Sequence, residues 1–365
     1  MRGLFVALLV ACTAACSSST SGTGAGADAS AGSGGSAAGG GAGGHAGGGG
    51  SAGRTNDASA GNGGSGGLAG DAAAGNGGAA TDAGGAGGSD AGTGGGTYRN
   101  SLSVCWTDPY CPRVFAVAHG GAWSLTGAPY DSNAALAAAY ADGCDGVKID
   151  VRVTKDNVPV ISHSSPIQTY ESLDCSGKKI EKMTAAEVTS CHRFPSLTQK
   201  FQRLDNVLNY LRGKMVVELT VKLSTDIART IEEVHADHAE DFAFLEISTS
   251  DLQNLIPTIQ GADSVYYLID IGTNLTEVDT LLNTIKNPRA FMYEFDPGVD
   301  ASSLTPTRLH PAGVRSFTYT NAAAPTEPQL QALFENGYDV VSSQGAQNGV
   351  AARIVVNKSH GVSPP

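Results

Sequence analysis

Basic residues are scarce in this chain. Its 23 Lys and Arg stand against 35 Asp and Glu, for a formal charge of −12. General nucleic-acid binding needs a basic surface and is excluded. A small anionic ligand remains admissible, because local charge in a pocket can oppose the net charge. Long apolar runs are missing as well. The run Leu4 to Ala11 falls far short of the roughly 20 residues that cross a bilayer. No Cys-x-x-Cys pair occurs, so the thiolate spacing of a zinc site is absent. Residues 17–96 lack apolar side chains almost entirely, and most of the 49 glycines lie before Thr97. Such a stretch buries too little to offset its conformational entropy and is expected to be a disordered Gly/Ala/Ser-rich linker. About 80 such residues have a root-mean-square reach on the order of 50 Å.

The N-terminus reads as an export signal over residues 1–16. Arg2 supplies the positive start, the short apolar run follows, and Thr13-Ala14-Ala15 places small residues before Cys16. This arrangement resembles a bacterial lipobox, with lipidation expected at Cys16; Leu9-Val10-Ala11-Cys12 is the competing box. The implied location is outside the cytoplasm, lipid-anchored in the cell envelope at the outer membrane or cell surface. Export permits disulfides. Cys105 with Cys111 and Cys175 with Cys191 are the economical pairs, which leaves Cys144 as a buried free thiol.

The globular part is expected over residues 97–365. Apolar runs there alternate with helix-like segments. Eight candidate strands are Val114–Ala118, Gly146–Val153, Met215–Val221, Phe242–Ile247, Ser264–Ile269, Ala290–Phe295, Arg315–Thr320 and Asp339–Ser342. Helical candidates between them are Ser132–Asp142, Leu204–Leu211, Asp226–His238, Ser250–Gln260, Thr276–Lys286 and Glu327–Asn336. The alternation implies parallel pairing, and eight units match a closed (β/α)₈ TIM barrel of about 250 residues. Val158–Ser162 interrupts the pattern. It follows strand two too closely for a parallel return and reads as a hairpin-like excursion, opening a long insertion that carries both Cys175 and Cys191.

Active sites of such barrels lie at the C-terminal ends of the strands. His119 ends the first strand. In the second, period two turns Val147, Ile149 and Val151 to the helices and Lys148, Asp150 and Arg152 to the barrel interior. Three charges on one inward face are costly unless paired or used. Glu218 and Thr220 repeat the pattern on the third strand. Glu294 and Asp296 end the sixth, and Tyr319-Thr320-Asn321 the seventh.

Three blocks then carry a family resemblance: Val117-Ala118-His119-Gly120-Gly121, Gly146 through Asp156, and Val158-Pro159-Val160-Ile161-Ser162-His163. Together they resemble the glycerophosphodiester phosphodiesterases, whose barrel is shared with the sphingomyelinase D enzymes. Lys182–Glu187, Val217-Glu218-Leu219, Phe317–Asn321 and Tyr338–Ser343 extend the likeness over the whole domain. The resemblance implies a phosphoric diester hydrolase acting on glycerophosphodiesters or related phospholipid headgroups. His119 and His163 would act as general acid and base, and Asp150 and Glu218 would hold Mg²⁺ or Ca²⁺. The departures are specific. The family's arginine after the first histidine is Gly120, its first metal-binding glutamate is Lys148, its later lysine is Thr220, and the aspartate after the second histidine is Ser164. Its Glu-Asn-Thr motif has only Asn133 or Asp131 as stand-ins. An ammonium among the carboxylates repels a cation, so Lys148 and Arg152 are expected to bind the substrate phosphate, and metal-independent catalysis is one reading that follows. The alternatives are a surface-displayed headgroup-binding module without turnover and a sphingomyelinase D-like phospholipase.

Overall fold

The computed structural model describes residues 101–320, 322 and 324–363. The predicted export signal, the Cys16 lipidation site and the linker 17–96 lie outside the described residues. The strands are β1 (Phe115–His119), β2 (Gly146–Val153), β3 (Pro159–Ile161), β4 (Val216–Val221), β5 (Ala243–Ser248), β6 (Tyr266–Gly272), β7 (Ala290–Phe295), β8 (Arg315–Thr320) and β9 (Val340–Ser343). The helices are α1 (Asn133–Asp142), α2 (Ala185–Ser190), α3 (Leu204–Leu211), α4 (Ser224–Ala236), α5 (Thr249–Asn254), α6 (Leu275–Thr280), α7 (Ala301–Leu304), α8 (Glu327–Glu335) and α9 (Ala346–Ser359).

Eight strands pair in parallel in the order β1-β9-β8-β7-β6-β5-β4-β2, and β1 pairs β2 to close the cylinder. The fold is the expected TIM barrel. β3 pairs antiparallel to the far end of β2, Val151 against Ile161, which is the anticipated hairpin. The outer faces of the strands pack on the helices: Val147, Ile149 and Val151 share one core with Leu204, Val207 and Leu208. Helix ends follow local chemistry. The Ser132 side chain accepts from Ala135 N to start α1, and Gly143 at φ 89° ends it in a conformation that costs other residues more. Thr184 and Glu187 form a reciprocal capping box at α2.

A second core fills the lower barrel with Phe115, Val117, Val216, Phe244, Leu268, Met292, Phe317 and Val340. Trp106 closes this end from outside the sheet, fully buried and stacked on Phe115 with ring centroids 4.2 Å apart. Gly146 makes room for it, since a Cβ there would meet the indole at 3.3 Å. The Cys105–Cys111 disulfide shapes this plug, and the buried Arg315 guanidinium donates to the carbonyls of Cys105 and Arg113.

The insertion after β3 has its own small core of Ile167, Ile180, Met183, Val188 and Phe201, stapled by Cys175–Cys191. Cys144 is buried and belongs to neither disulfide, as expected.

Candidate active site

His119 is the last residue of β1, and the chain turns sharply after it through Gly120 and Gly121, at φ 69° and 81°. Gly120 stands where the resemblance anticipates arginine, and its surroundings explain the change. A Cβ at Gly120 would lie 2.1 Å from the Tyr130 ring, so no side chain fits. Tyr130 takes the space instead, and its hydroxyl donates to Asp150 Oδ2 at 2.8 Å. The His119 and His163 rings flank it, each with its centroid 6.0 Å from that of Tyr130. The two predicted histidines therefore share one mouth of the barrel.

Asp150 is fully buried beneath them and is surrounded by donors. Its Oδ1 accepts from Lys148 Nζ at 2.8 Å and from Lys222 Nζ at 2.6 Å. Burial opposes the charged carboxylate, but Lys148, Lys222 and His163 outweigh it and hold the Asp150 pKa well below the usual range. Burial likewise opposes the Lys148 ammonium, and Asp150, Glu246 and Glu218 overcome it, raising its pKa. Lys148 Nζ also lies 3.3 Å from His119 Nε2. An ammonium can only donate, so Nε2 accepts and the ring is neutral there. Burial, then the charge on Lys148, pushes the His119 pKa well below the ordinary value.

His163 is oriented by the insertion. Glu171, buried, accepts from the backbone N–H groups of His163 at 2.9 Å and Ser164 at 3.1 Å. Arg152 donates twice to the His163 carbonyl, at 3.2 and 2.9 Å. The hydroxyls of Ser164 and Tyr170 lie 3.1 and 3.0 Å from His163 Nδ1 and 2.8 Å from each other. Arg193, also buried, donates to the carbonyls of Tyr130 and Ile161. Burial lowers the His163 pKa, with Lys222 and Lys148 adding to it, while Asp150 and Glu171 pull the other way.

The far side of the mouth is acidic. Glu218 on β4, Glu246 on β5 and Glu294 on β7 each bring one carboxylate oxygen within 4.8 Å of the others. Thr220 donates to Glu246. Burial first, then Glu246, holds the pKa values of Glu218 and Glu294 well above the usual range. Asp270 on β6 is pushed up to about 6, by burial, then by Glu246 and Asp296.

In the predicted ligand pair for a divalent cation, Asp150 with Glu218, the Asp150 oxygens are already taken. Both ammonium groups occupy Asp150 Oδ1 and Tyr130 occupies Oδ2, whereas Glu218 faces Glu246 and Glu294. A cation at Asp150 would meet two positive charges at contact distance, so these residues do not fit a metal there. Arg152, expected on the phosphate, has its guanidinium on the His163 carbonyl behind the ring. Of the two stand-ins for the Glu-Asn-Thr motif, Asp131 is the one beside Asp150: its Oδ2 accepts from the Asp150 N–H at 3.4 Å. Burial, then Asp150, raises its pKa well above the usual value.

Sequence reasoning missed Tyr130, Lys222, Glu246 and Glu171. Lys222 had a usable signal: it lies two residues past Thr220, on the same inward face, and restores the cation that Thr220 lacks. Glu246 had one too, as a lone acid alternating with Phe244 in an apolar strand. Tyr130 and Glu171 sit in loops, where no periodicity points inward.

A closed parallel barrel whose strand ends present two histidines over a buried ionic cluster defines the class. The family model described as the glycerophosphoryl diester phosphodiesterase family matches residues 127–296. Over those residues the barrel is similar to this family of phosphoric diester hydrolases. Solved structures share the fold. A glycerophosphoryl diester phosphodiesterase from Parabacteroides distasonis aligns at TM-score 0.57 and 17% identity, covering 69% of this chain and 90% of that one. A glycerophosphodiester phosphodiesterase from Agrobacterium tumefaciens aligns at 0.51 and 19%, covering 65% and 99%. An Oleispira antarctica phosphodiesterase, in complex with its product sn-glycerol-3-phosphate, aligns at 0.52 and 19%, covering 67% and 98%. No curated relative matches the chain.

Proposed function

We propose that this barrel hydrolyses glycerophosphodiesters, or phospholipid headgroups of the same chemistry, by acid–base catalysis between His119 and His163. One observation carries the reading: both rings flank Tyr130 directly above the Lys148–Asp150–Lys222 cluster. The two imidazoles have unequal surroundings, which is the condition for dividing acid and base roles. His119 is the more depressed, lying against an ammonium, and suits the base. His163 has Asp150 and Glu171 opposing its depression and suits the acid. An arriving phosphodiester carries negative charge, which raises the His163 pKa further toward the protonated form. Lys148 can move from His119 Nε2 to a phosphoryl oxygen, which frees the base and neutralises the charge that develops at phosphorus. Lys222, also on Asp150, is placed to share that task. The known product complex of the Oleispira antarctica enzyme supports glycerol 3-phosphate as a product class here. A divalent cation, characteristic of the family, would add positive charge to the phosphate oxygens; no step above depends on it.

The expected export signal and Cys16 lipobox support a location on an envelope membrane, with the Gly/Ala/Ser-rich stretch as tether. Labelling with a radioactive fatty acid, lost in Cys16→Ser, tests that placement; retained label would leave Cys12 as the acceptor.

The test of function is alcohol release from a panel of glycerophosphodiesters, lysophospholipids and sphingomyelin. His119→Ala and His163→Ala should each lower turnover by about 10²- to 10⁴-fold. Unchanged turnover in both variants removes the acid–base assignment. Binding of glycerol 3-phosphate without any turnover makes the barrel a headgroup-binding module, and turnover confined to choline phospholipids makes it a sphingomyelinase D-like enzyme.

A further inference from the structure

Orienting His163 leaves much of the insertion after β3 unexplained. Its chain folds back on itself: the Glu171 carbonyl accepts from Phe194 N at 2.8 Å, Asp174 pairs with His192, and Cys175 is bonded to Cys191. His192 and Lys200 then bridge antiparallel, and Arg193 N donates to the Gln199 carbonyl at 2.8 Å, so residues 194–198 form the tip of a hairpin. Turn residues are mostly small or polar. This tip is not: Leu197 is 87% exposed and Phe194 42%, while Leu173, on the adjoining segment, is 67% exposed. Single exposed apolar side chains are ordinary, but three on two hydrogen-bonded segments of one insertion make a patch. Tyr170, also exposed, continues it to the active site, where its hydroxyl meets His163 Nδ1.

Charge sets the insertion apart as well. Residues 164–203 carry six Lys and Arg against four Asp and Glu, in a chain of net charge −12. Lys178, Lys179, Lys182 and Lys200 are exposed. We infer that this insertion docks the barrel mouth on an anionic lipid surface. Leu173, Phe194 and Leu197 enter the boundary between headgroups and acyl chains, and the lysines lie on the headgroups. Apolar side chains beside lysines hold a protein in that layer, because burial of apolar area and attraction to anionic lipid add. The acidic remainder of the chain is repelled by the same surface, so the contact is oriented. The residues preceding the barrel give a reason for such a contact: a tether reaching on the order of 50 Å restrains distance but not direction. Docking presents His163, through its neighbour Tyr170, to the headgroup layer. What the docking serves rests on the proposed hydrolysis of phospholipid headgroups; the docking itself is read without turnover.

The experiment uses the full chain with Cys12→Ser and Cys16→Ser, which carries no acyl group, and adds Leu197→Trp as a reporter at the exposed hairpin tip. Its emission, above that of the parent chain, should shift to the blue on phosphatidylglycerol vesicles and be quenched by brominated acyl chains. Phosphatidylcholine vesicles should give neither. Adding Leu173→Ser and Phe194→Ser should weaken the vesicle affinity read by this reporter by about tenfold. The same two changes should slow hydrolysis of vesicle-borne lipid while leaving turnover of a soluble glycerophosphodiester within about twofold, as surface substitutions do. Absence of turnover on every substrate removes the proposed function, and the reporter still decides the docking. No quenching, or equal quenching on phosphatidylcholine, overturns the inference. Self-association that Leu197→Ser abolishes, without quenching, overturns it too and assigns the hairpin to a second copy of the chain.

Discussion

The same eight strands build two opposite interiors. Below, Phe115, Val117, Val216, Phe244, Leu268 and Phe317 make a dry core. One step of two residues higher, β1, β2, β4, β5 and β6 present His119, Lys148, Glu218, Glu246 and Asp270. The same strands run through both layers, with register shifts in the β6–β7 pairing at Tyr267/Leu268 and Asp270/Gly272. The difference lies in what each layer is asked to hold. The lower layer contributes stability by removing apolar surface from water. The upper layer costs stability, because buried charge is recovered only through pairing. Mutations in the two layers should therefore fail in different ways: loss of folding below, loss of chemistry above.

The largest expected effect lies below. Trp106→Ala removes the plug from the barrel floor, and deleting a fully buried Trp costs about 3–5 kcal/mol. Urea unfolding should show that loss, while the surviving folded fraction retains its turnover per molecule. Normal stability in this variant would mean that the plug is not part of the cooperative core. A fall in turnover per folded molecule would mean that the two layers are coupled through the strands.

Next comes Lys148→Met, which should separate charge from shape in the upper layer. The ammonium lowers the His119 pKa and lies against its Nε2. Without it the ring protonates more readily, so the base is lost at a higher pH: the acid limb of kcat/KM should move up. Loss of a positioned donor to the phosphoryl group should also lower kcat by about 10²-fold at neutral pH. An unmoved acid limb would show that His119 is not the titrating base.

The same contrast explains what could be read in advance. The strands were legible because residues buried on both faces give apolar runs, and period two then exposes any charge that breaks them. Lys148, Asp150 and Glu218 were found this way, with their direction correct. Their partners were not. Which carboxylate meets which ammonium depends on contacts between strands, and Asp150 meets Lys222 and Tyr130 through side chains that no local pattern connects. The helix α9 was missed for a local reason. It begins at Gly345 without a side-chain cap and carries Gly349 in its second turn, where a Cβ would lie 3.2 Å from Ser343 Oγ. Close packing on β9 favours glycine there, at the expense of the helix signal.

The smallest expected effect tests how the upper layer holds its second histidine. Ser164 stands where the family resemblance anticipates aspartate, and with Tyr170 it offers His163 Nδ1 two hydroxyls. A carboxylate there would favour imidazolium. A hydroxyl both donates and accepts, so it can hold the ring in either protonation state. Tyr170 is 44% exposed, so its bond to the ring competes with water. Tyr170→Phe should then lower kcat by about 2- to 10-fold, the equivalent of one hydrogen bond of about 0.5–1.5 kcal/mol, with KM unchanged. Ser164 remains at 3.1 Å as a second hold, so Tyr170→Phe combined with Ser164→Ala should cost more than either change alone. Ser164→Asp should raise the His163 pKa and move the alkaline limb upward, because an acid that loses its proton later stays competent to a higher pH. If the double variant turns over at the native rate, the two hydroxyls are spectators, and Glu171 and Arg152 alone fix the ring from its backbone side.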